Sequence, residues 1–367
     1  MHAIHLVESF KKRFSFEFSA MGSTGLARTG VNVVYDYRNI SLTGISEVFS
    51  KLHHIRRAFK TIKEHILSIM PALIILVDFP GFNLKIARFA KKLNIPVLYF
   101  IPPQIWAWKK NRIYTIKKYV DQVISVLPFE KQFYETFGIH VTYVGHPFVQ
   151  TVKPSLSRED FLKEAGIDSQ GPIITIMPGS RENEIIKHMP VLLNTIDIIR
   201  KSMPQSIAIL PLADNLDISV LAPFKKKLGN ILVIKNHAYD ALSYCDAAIA
   251  ASGSVTLEAA ILGTPTIVIY QISPLSYLIA KMLVKVNWIS LPNIIAEKEV
   301  FPEFIQDLDA AKIAEKTLYM VHNGKEEIKK DIDNIITKLG SYNSYESARD
   351  TIIDFLENKY GTISQIT

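Results

Sequence analysis

The chain has 367 residues, of which 48% are hydrophobic and 21% charged, with one cysteine and 16 glycines. This composition excludes collagen-like, disulfide-scaffold and wholly disordered classes. The formal charge of +7 is unevenly held: residues 1–150 carry 20 Lys and Arg against 9 Asp and Glu, the remainder 22 against 26. The first half is therefore the one suited to meet phosphate, whether on a substrate, an anionic lipid or nucleic acid.

The opening residues, MHAIHLVESFKKRF, reach charge too early for the apolar core of a signal peptide. Every long apolar stretch is interrupted, so none approaches the ~18 residues of a spanning helix. Segment 51–67 reads as a basic amphipathic helix with Leu52, Ile55, Phe59 and Ile62 on one face. Such a stripe either faces the core or lies on anionic lipid. Strand-like runs then alternate with helix-length segments at 72–78, 96–101, 122–127 and 141–145. After a polar stretch at 150–160 the theme restarts at 173–177, 207–212, 231–235, 246–251 and 265–270. Strands apolar along their whole length are buried on both faces, as in parallel sheets covered by helices. The tail from about 309 to 359 has helical periodicity alone. A lone Cys245 can form no internal disulfide, which points to a reducing compartment.

The expected architecture is α/β, with two doubly wound Rossmann-like domains at 1–150 and 151–340. Their parallel sheets would face a cleft where ligands bind at the carboxyl ends of the strands. Residues 341–367 are expected to form a C-terminal helix returning to the N-terminal domain.

Three turns carry candidate chemistry. Asp78 closes an apolar strand and precedes FPGFN, where it suits either a general base taking a proton from an alcohol or a cap for the next helix. MPGSREN at 177–183 places Gly179, Ser180 and Arg181 where a helix N-terminus and a guanidinium favour an anion, although simple capping explains the same pattern. AASGSVTLEAA at 250–260 repeats the design with Ser252, Gly253 and Ser254, and Glu258 lies about a turn further in. Phosphate at this loop and ribose hydroxyls on Glu258 would make a nucleotide diphosphate site; a plain turn and a solvated glutamate are the alternative. Trp106 and Trp108 precede Lys109, Lys110 and Arg112, which suits base stacking or, more plainly, packed aromatics with a basic rim. His146 reads as a turn histidine, and DID at 331–333 falls in a helical pattern that disfavours a metal site.

Together these segments resemble the lipid-A-disaccharide synthases, glycosyltransferases of GT-B architecture. The resemblance spans nearly the whole chain and rests on LTGISEVF at 42–49, VDFPGFN at 77–83, IPPQIWAWKKNRI at 101–113, LPFEKQFYETFGI at 127–139, YVGHP at 143–147, MPGSREN, ASGSVTLEAA and SLPNIIA at 290–296. It implies an inverting transfer of 2,3-diacylglucosamine from its UDP derivative to the 6-hydroxyl of 2,3-diacylglucosamine 1-phosphate, with no cofactor and no metal. It further implies that Asp78 is the catalytic aspartate and that Gly179, Ser180, Arg181, Ser252, Gly253, Ser254 and Glu258 serve the nucleotide. By resemblance alone, Asn293 and Gln306 are substrate-binding. The implied setting is cytoplasmic, peripheral on the anionic inner-membrane surface, with no nucleic-acid partner.

Two departures from the family pattern stand out. Thr43 replaces the usual methionine, and the chain opens on what looks like the helix after a GEASGD-type loop, so a first N-terminal strand is expected to be missing. The rival readings are another GT-B enzyme on a UDP-sugar, such as a polyprenyl-linked glycosyltransferase or an epimerase, and an inactive fragment that binds nucleotide or lipid.

Overall fold

A computed structural model describes residues 2–40, 52–168, 170–229, 231–274, 277, 286–340 and 343–363; the LTGISEVF segment lies outside them. All nine strands expected from the apolar runs form, and three short ones join them. The chain divides into two units, residues 1–147 with 339–367, and residues 148–338.

The first unit runs α1 (His2–Lys11), β1 (Ser19–Gly22), β2 (Asn32–Asp36), α2 (Leu52–Ile69), β3 (Ile74–Val77), α3 (Pro80–Lys92), β4 (Val97–Phe100), α4 (Arg112–Tyr119), β5 (Gln122–Ser125), α5 (Pro128–Glu135) and β6 (Val141–Tyr143). Strands β3 to β6 pair in parallel in sequence order, while β1 and β2 make a separate two-stranded parallel sheet. Successive residues of a strand face opposite ways, and both faces are covered. Val97, Tyr99 and Val123 pack with Ile86 and Ala87 of α3 and Ile113 and Ile116 of α4. Leu98, Phe100 and Ile124 pack instead with Leu6 and Phe10 of α1 and with Ile352 and Leu356 of the C-terminal helix Ser344–Tyr360. Arg349 of that helix donates from Nη1 to the Ser9 carbonyl, so the chain's last helix is pinned to its first. The apolar stripe of α2 faces the core, with Ile55, Phe59 and Ile62 against it, which decides between the two readings of that segment.

The second unit runs β7 (Ile173–Met177), α6 (Glu182–Ser202), β8 (Ile207–Pro211), β9 (Leu232–Ile234), α7 (Ala238–Tyr244), β10 (Ala247–Ala251), α8 (Ser254–Ile261), β11 (Thr266–Tyr270), α9 (Leu291–Ala296), β12 (Glu303–Ile305) and α10 (Ala310–Tyr319). Its six strands are all parallel, in the order β12-β11-β10-β7-β8-β9. Strand order reverses between β7 and β10. In an open α/β sheet the loops leaving the strands on either side of such a point splay apart and leave a crevice. Those two loops here are the Gly179 turn and the Gly253 turn.

Candidate active site

In the second unit, Gly179, Ser180, Arg181, Ser252, Gly253, Ser254 and Glu258 all line one pocket of about 590 Å³. Two short segments far apart in sequence meet because both follow adjacent parallel strands, β7 and β10. Gly179 has φ +132°, and a β-carbon there would fall 2.5 Å from Cβ of Glu184, so the turn requires glycine. Gly253 differs: its backbone is extended, and a β-carbon would meet nothing within 4 Å. Its missing side chain leaves space in the pocket and relieves no strain.

The donors of the first loop are engaged. Ser180 N–H donates to Oε2 of Glu184 at 3.0 Å, and Arg181 Nη1 donates to Oε1 of the same carboxylate at 2.6 Å. The loop is braced from behind by His188, whose ring is fully buried. Gln271 N–H donates to His188 Nε2 at 3.0 Å, which leaves Nδ1 to carry the proton and donate to the Pro178 carbonyl at 2.6 Å. Burial holds this imidazole below its ordinary pKa, so it stays neutral and keeps that tautomer. On the other wall, Glu258 is half-buried; desolvation raises its pKa, and Tyr239 Oη reaches its Oε1 at 3.5 Å. Its carboxylate is partly desolvated where it lines the pocket. Asp240 is buried at the base of the same wall, where it accepts from Ser155 N–H, Ser155 Oγ and Leu156 N–H at 2.7 to 2.8 Å. It ties the segment entering the unit to the pocket.

Asp78 belongs to the first unit and is exposed just past the carboxyl end of β3. Asp78 and Phe79 both adopt left-handed backbone, with φ +47° and +41°, at a cost of order 1–2 kcal/mol each. Asn83 Nδ2 and Tyr99 Oη hold this turn by donating to the Asp78 carbonyl at 2.6 and 2.7 Å. The carboxylate itself has no hydrogen-bond partner among the described residues, so it is available to a ligand.

Asn293 and Gln306 are spent on the protein. Asn293 is fully buried; its Nδ2 donates to the Phe301 carbonyl and to Glu303 Oε1, and its Oδ1 accepts from Val300 and Phe301 N–H. Gln306 pairs its side-chain amide with the main chain of Ile272 in both directions. Both side chains thus hold neighbouring main chain in place. Asn293 and Glu303 clamp the corner at 289–303, and the Ile289 carbonyl there accepts from Ser252 Oγ at 3.4 Å.

Trp106 packs edge-on against Phe129 and donates from Nε1 to the buried Glu130, whereas Trp108 is 44% exposed beneath Lys109 Nζ. His146 is buried, and burial pushes its pKa down to about 3. Among the described residues no cluster of His, Cys, Asp and Glu suits a metal ion, and no helix is long and apolar enough to cross a membrane.

Solved structures share this fold at low identity. A UDP-GlcNAc 2-epimerase from Neisseria meningitidis, bound to UDP-GlcNAc, superposes with a TM-score of 0.61 at 14% identity, over 98% of this chain and 96% of that one. A glycosyltransferase from Rickettsia africae gives 0.59 at 14% identity, over 97% and 93%. These likenesses establish a GT-B fold. Sequence relatives are closer. The lipid-A-disaccharide synthase of Geobacter metallireducens is 36% identical over 366 residues, 98% of this chain and 95% of the relative. That of Geobacter sulfurreducens is 39% identical over 309 residues, 84% and 80%. The sequence profile of the lipid-A-disaccharide synthetase family matches residues 1–353, and with relatives this similar over nearly its full length the chain belongs to that family.

Proposed function

We propose that the protein transfers 2,3-diacylglucosamine from UDP-2,3-diacylglucosamine to the 6-hydroxyl of 2,3-diacylglucosamine 1-phosphate, forming the β-1,6 lipid A disaccharide 1-phosphate and UDP. The family match over residues 1–353 carries this reading. Inversion at the sugar carbon needs one in-line displacement, hence one base for the acceptor hydroxyl and donors for the departing diphosphate. Asp78 is the base: it lies just past the end of β3, is exposed, and its carboxylate has no hydrogen-bond partner among the described residues. Arg181, the Ser180 N–H and the free N–H groups at the start of α8 are the donors for UDP, with Glu258 placed for the ribose hydroxyls. Such a cationic and N–H donor set neutralises a diphosphate without a metal ion, so turnover should survive EDTA. The net positive first half suits peripheral attachment to the anionic cytoplasmic face of the inner membrane, through screened attraction that weakens with salt.

The test is product analysis with UDP-2,3-diacylglucosamine in the presence and absence of acceptor. Disaccharide 1-phosphate and UDP in equal amounts, only with acceptor present, is the expected result. Conversion of the UDP-sugar without acceptor would replace this reading with an epimerase.

A further inference from the structure

Helices α3 and α4 leave the carboxyl ends of the adjacent parallel strands β3 and β4 and enclose a groove of about 480 Å³ in the first unit. Pro80 and Gly81, which follow Asp78 by two and three residues, line this groove. Lys85 and Arg88 line it from α3; Arg112 and Lys118 line it from α4, with Thr115 between them. Spacings of three residues put each set on a single helix face, so four cations converge. No Asp or Glu lines the groove, and none of the four cations has a carboxylate partner among the described residues. Lys91, a turn further along α3, shows the contrast: its Nζ is 2.8 Å from Asp121 Oδ1. Four like charges around one space repel one another and are relieved by an anion among them.

We propose that this groove is the subsite for the phosphate of the lipid acceptor, a phosphomonoester on a glycolipid. The inference rests on the glycosyltransferase reading above and assigns its acceptor side. The nucleotide's own phosphates have their donors in the second unit, whereas the acceptor hydroxyl must reach Asp78. In 2,3-diacylglucosamine 1-phosphate the 1-phosphate and the 6-hydroxymethyl are carried on C1 and C5, the two carbons that flank the ring oxygen. With the hydroxyl on Asp78, the phosphate falls within one sugar's length of it, and the groove begins two residues beyond. Arg112 and Arg88 offer planar forks for phosphate oxygens, Lys85 and Lys118 point charges, and Thr115 a hydroxyl.

Equilibrium binding tests this without the donor present. The probes are 2,3-diacylglucosamine 1-phosphate and its phosphate-free counterpart in non-ionic micelles that contain no phospholipid. The intact protein should prefer the phosphorylated lipid. The double variant Lys85→Gln/Arg88→Gln, and Lys118→Gln independently, should weaken that lipid by about 10-fold or more while leaving the phosphate-free one within twofold. Lys117→Gln, the same charge change on α4 outside the groove, should alter neither. Flotation with phosphatidylglycerol/phosphatidylcholine vesicles separates the other source of lipid phosphate. Lost flotation with acceptor affinity intact would assign the groove to bilayer headgroups and overturn the proposal, as would unchanged affinities or no preference in the intact protein. Because binding is read without turnover, failure to form disaccharide would reject the glycosyltransferase reading and leave the binding result standing.

Discussion

Arg181 donates from Nη1 to Oε1 of Glu184 across 2.6 Å, and the other oxygen of that carboxylate takes the Ser180 N–H. Glu184 therefore occupies two donors that a diphosphate would use, and its charge opposes one nearby. Glu184→Gln keeps the shape of the turn and removes that charge. The expected outcome is two- to fivefold tighter UDP binding, the scale of roughly 1 kcal/mol or less set by an exposed ion pair. Calorimetry checks it; weaker binding would show that Glu184 serves mainly to orient Arg181.

Asp78 and Tyr99 make a second pair, joined through the Asp78 carbonyl. Asp78→Asn should leave UDP affinity unchanged and lower kcat by about 10²-fold or more, the usual loss on removing a general base. Tyr99→Phe removes one of the two bonds that pin the strained turn and leaves that from Asn83. It should cost roughly 1 kcal/mol of stability and lower kcat by less than Asp78→Asn, again with unchanged UDP affinity. Steady-state kinetics beside UDP titrations separate these effects, and near-normal kcat in Asp78→Asn would remove that residue from the mechanism.

The parallel sheets were legible because β4, β5, β7 and β10 are apolar on both faces, a pattern only helices on both sides explain. Strands β1, β2 and β12 escaped because SAMG, NVVYD and EFI are short, mixed in polarity and only partly buried. The Gly179 and Gly253 turns were legible as strand–glycine–helix signals, but nothing local said that they share a pocket; that follows from β10 pairing with β7. Glu184 had a readable signal, an acidic residue three after Arg181 in the first turn of a helix. His188, Tyr99 and Asp240 had none, because each acts on main chain 10 to 85 residues away. Asn293 stood in a family motif, and a motif does not say whether its asparagine faces a ligand or its own main chain.

Gly253 and Gly179 predict opposite failures. A side chain at 253 enters open space in the pocket, so Gly253→Val should fold normally and lose measurable UDP binding. At 179 the positive φ and the contact with Glu184 make Gly179→Ala a strained turn, costing of order 1–3 kcal/mol. Thermal melts and UDP titrations on both variants distinguish them. A destabilised Gly253→Val that still binds UDP would contradict the placement of the ligand beside that loop.

Glu130 sets a pH dependence for stability in the first unit. Its side chain is buried, takes one bond from Trp106 Nε1 at 3.1 Å, and burial pushes its pKa from 4.5 up to about 8. Between those values the folded chain retains a proton that the unfolded chain has released. This group therefore costs nothing below pH 4.5, reduces stability as pH rises to about 8, and has a constant effect above. At ~1.36 kcal/mol per pKa unit the loss is bounded at roughly 5 kcal/mol. Glu130→Gln keeps an oxygen for Trp106 and has no proton to lose. Urea midpoints should nearly coincide for the two proteins near pH 5, with the variant pulling ahead by pH 8 to 9. The histidines whose pKa desolvation lowers, His2, His146 and His188, titrate in both proteins and cancel in the difference. Midpoints that run parallel across this range would mean that Glu130 is charged in the folded protein at neutral pH.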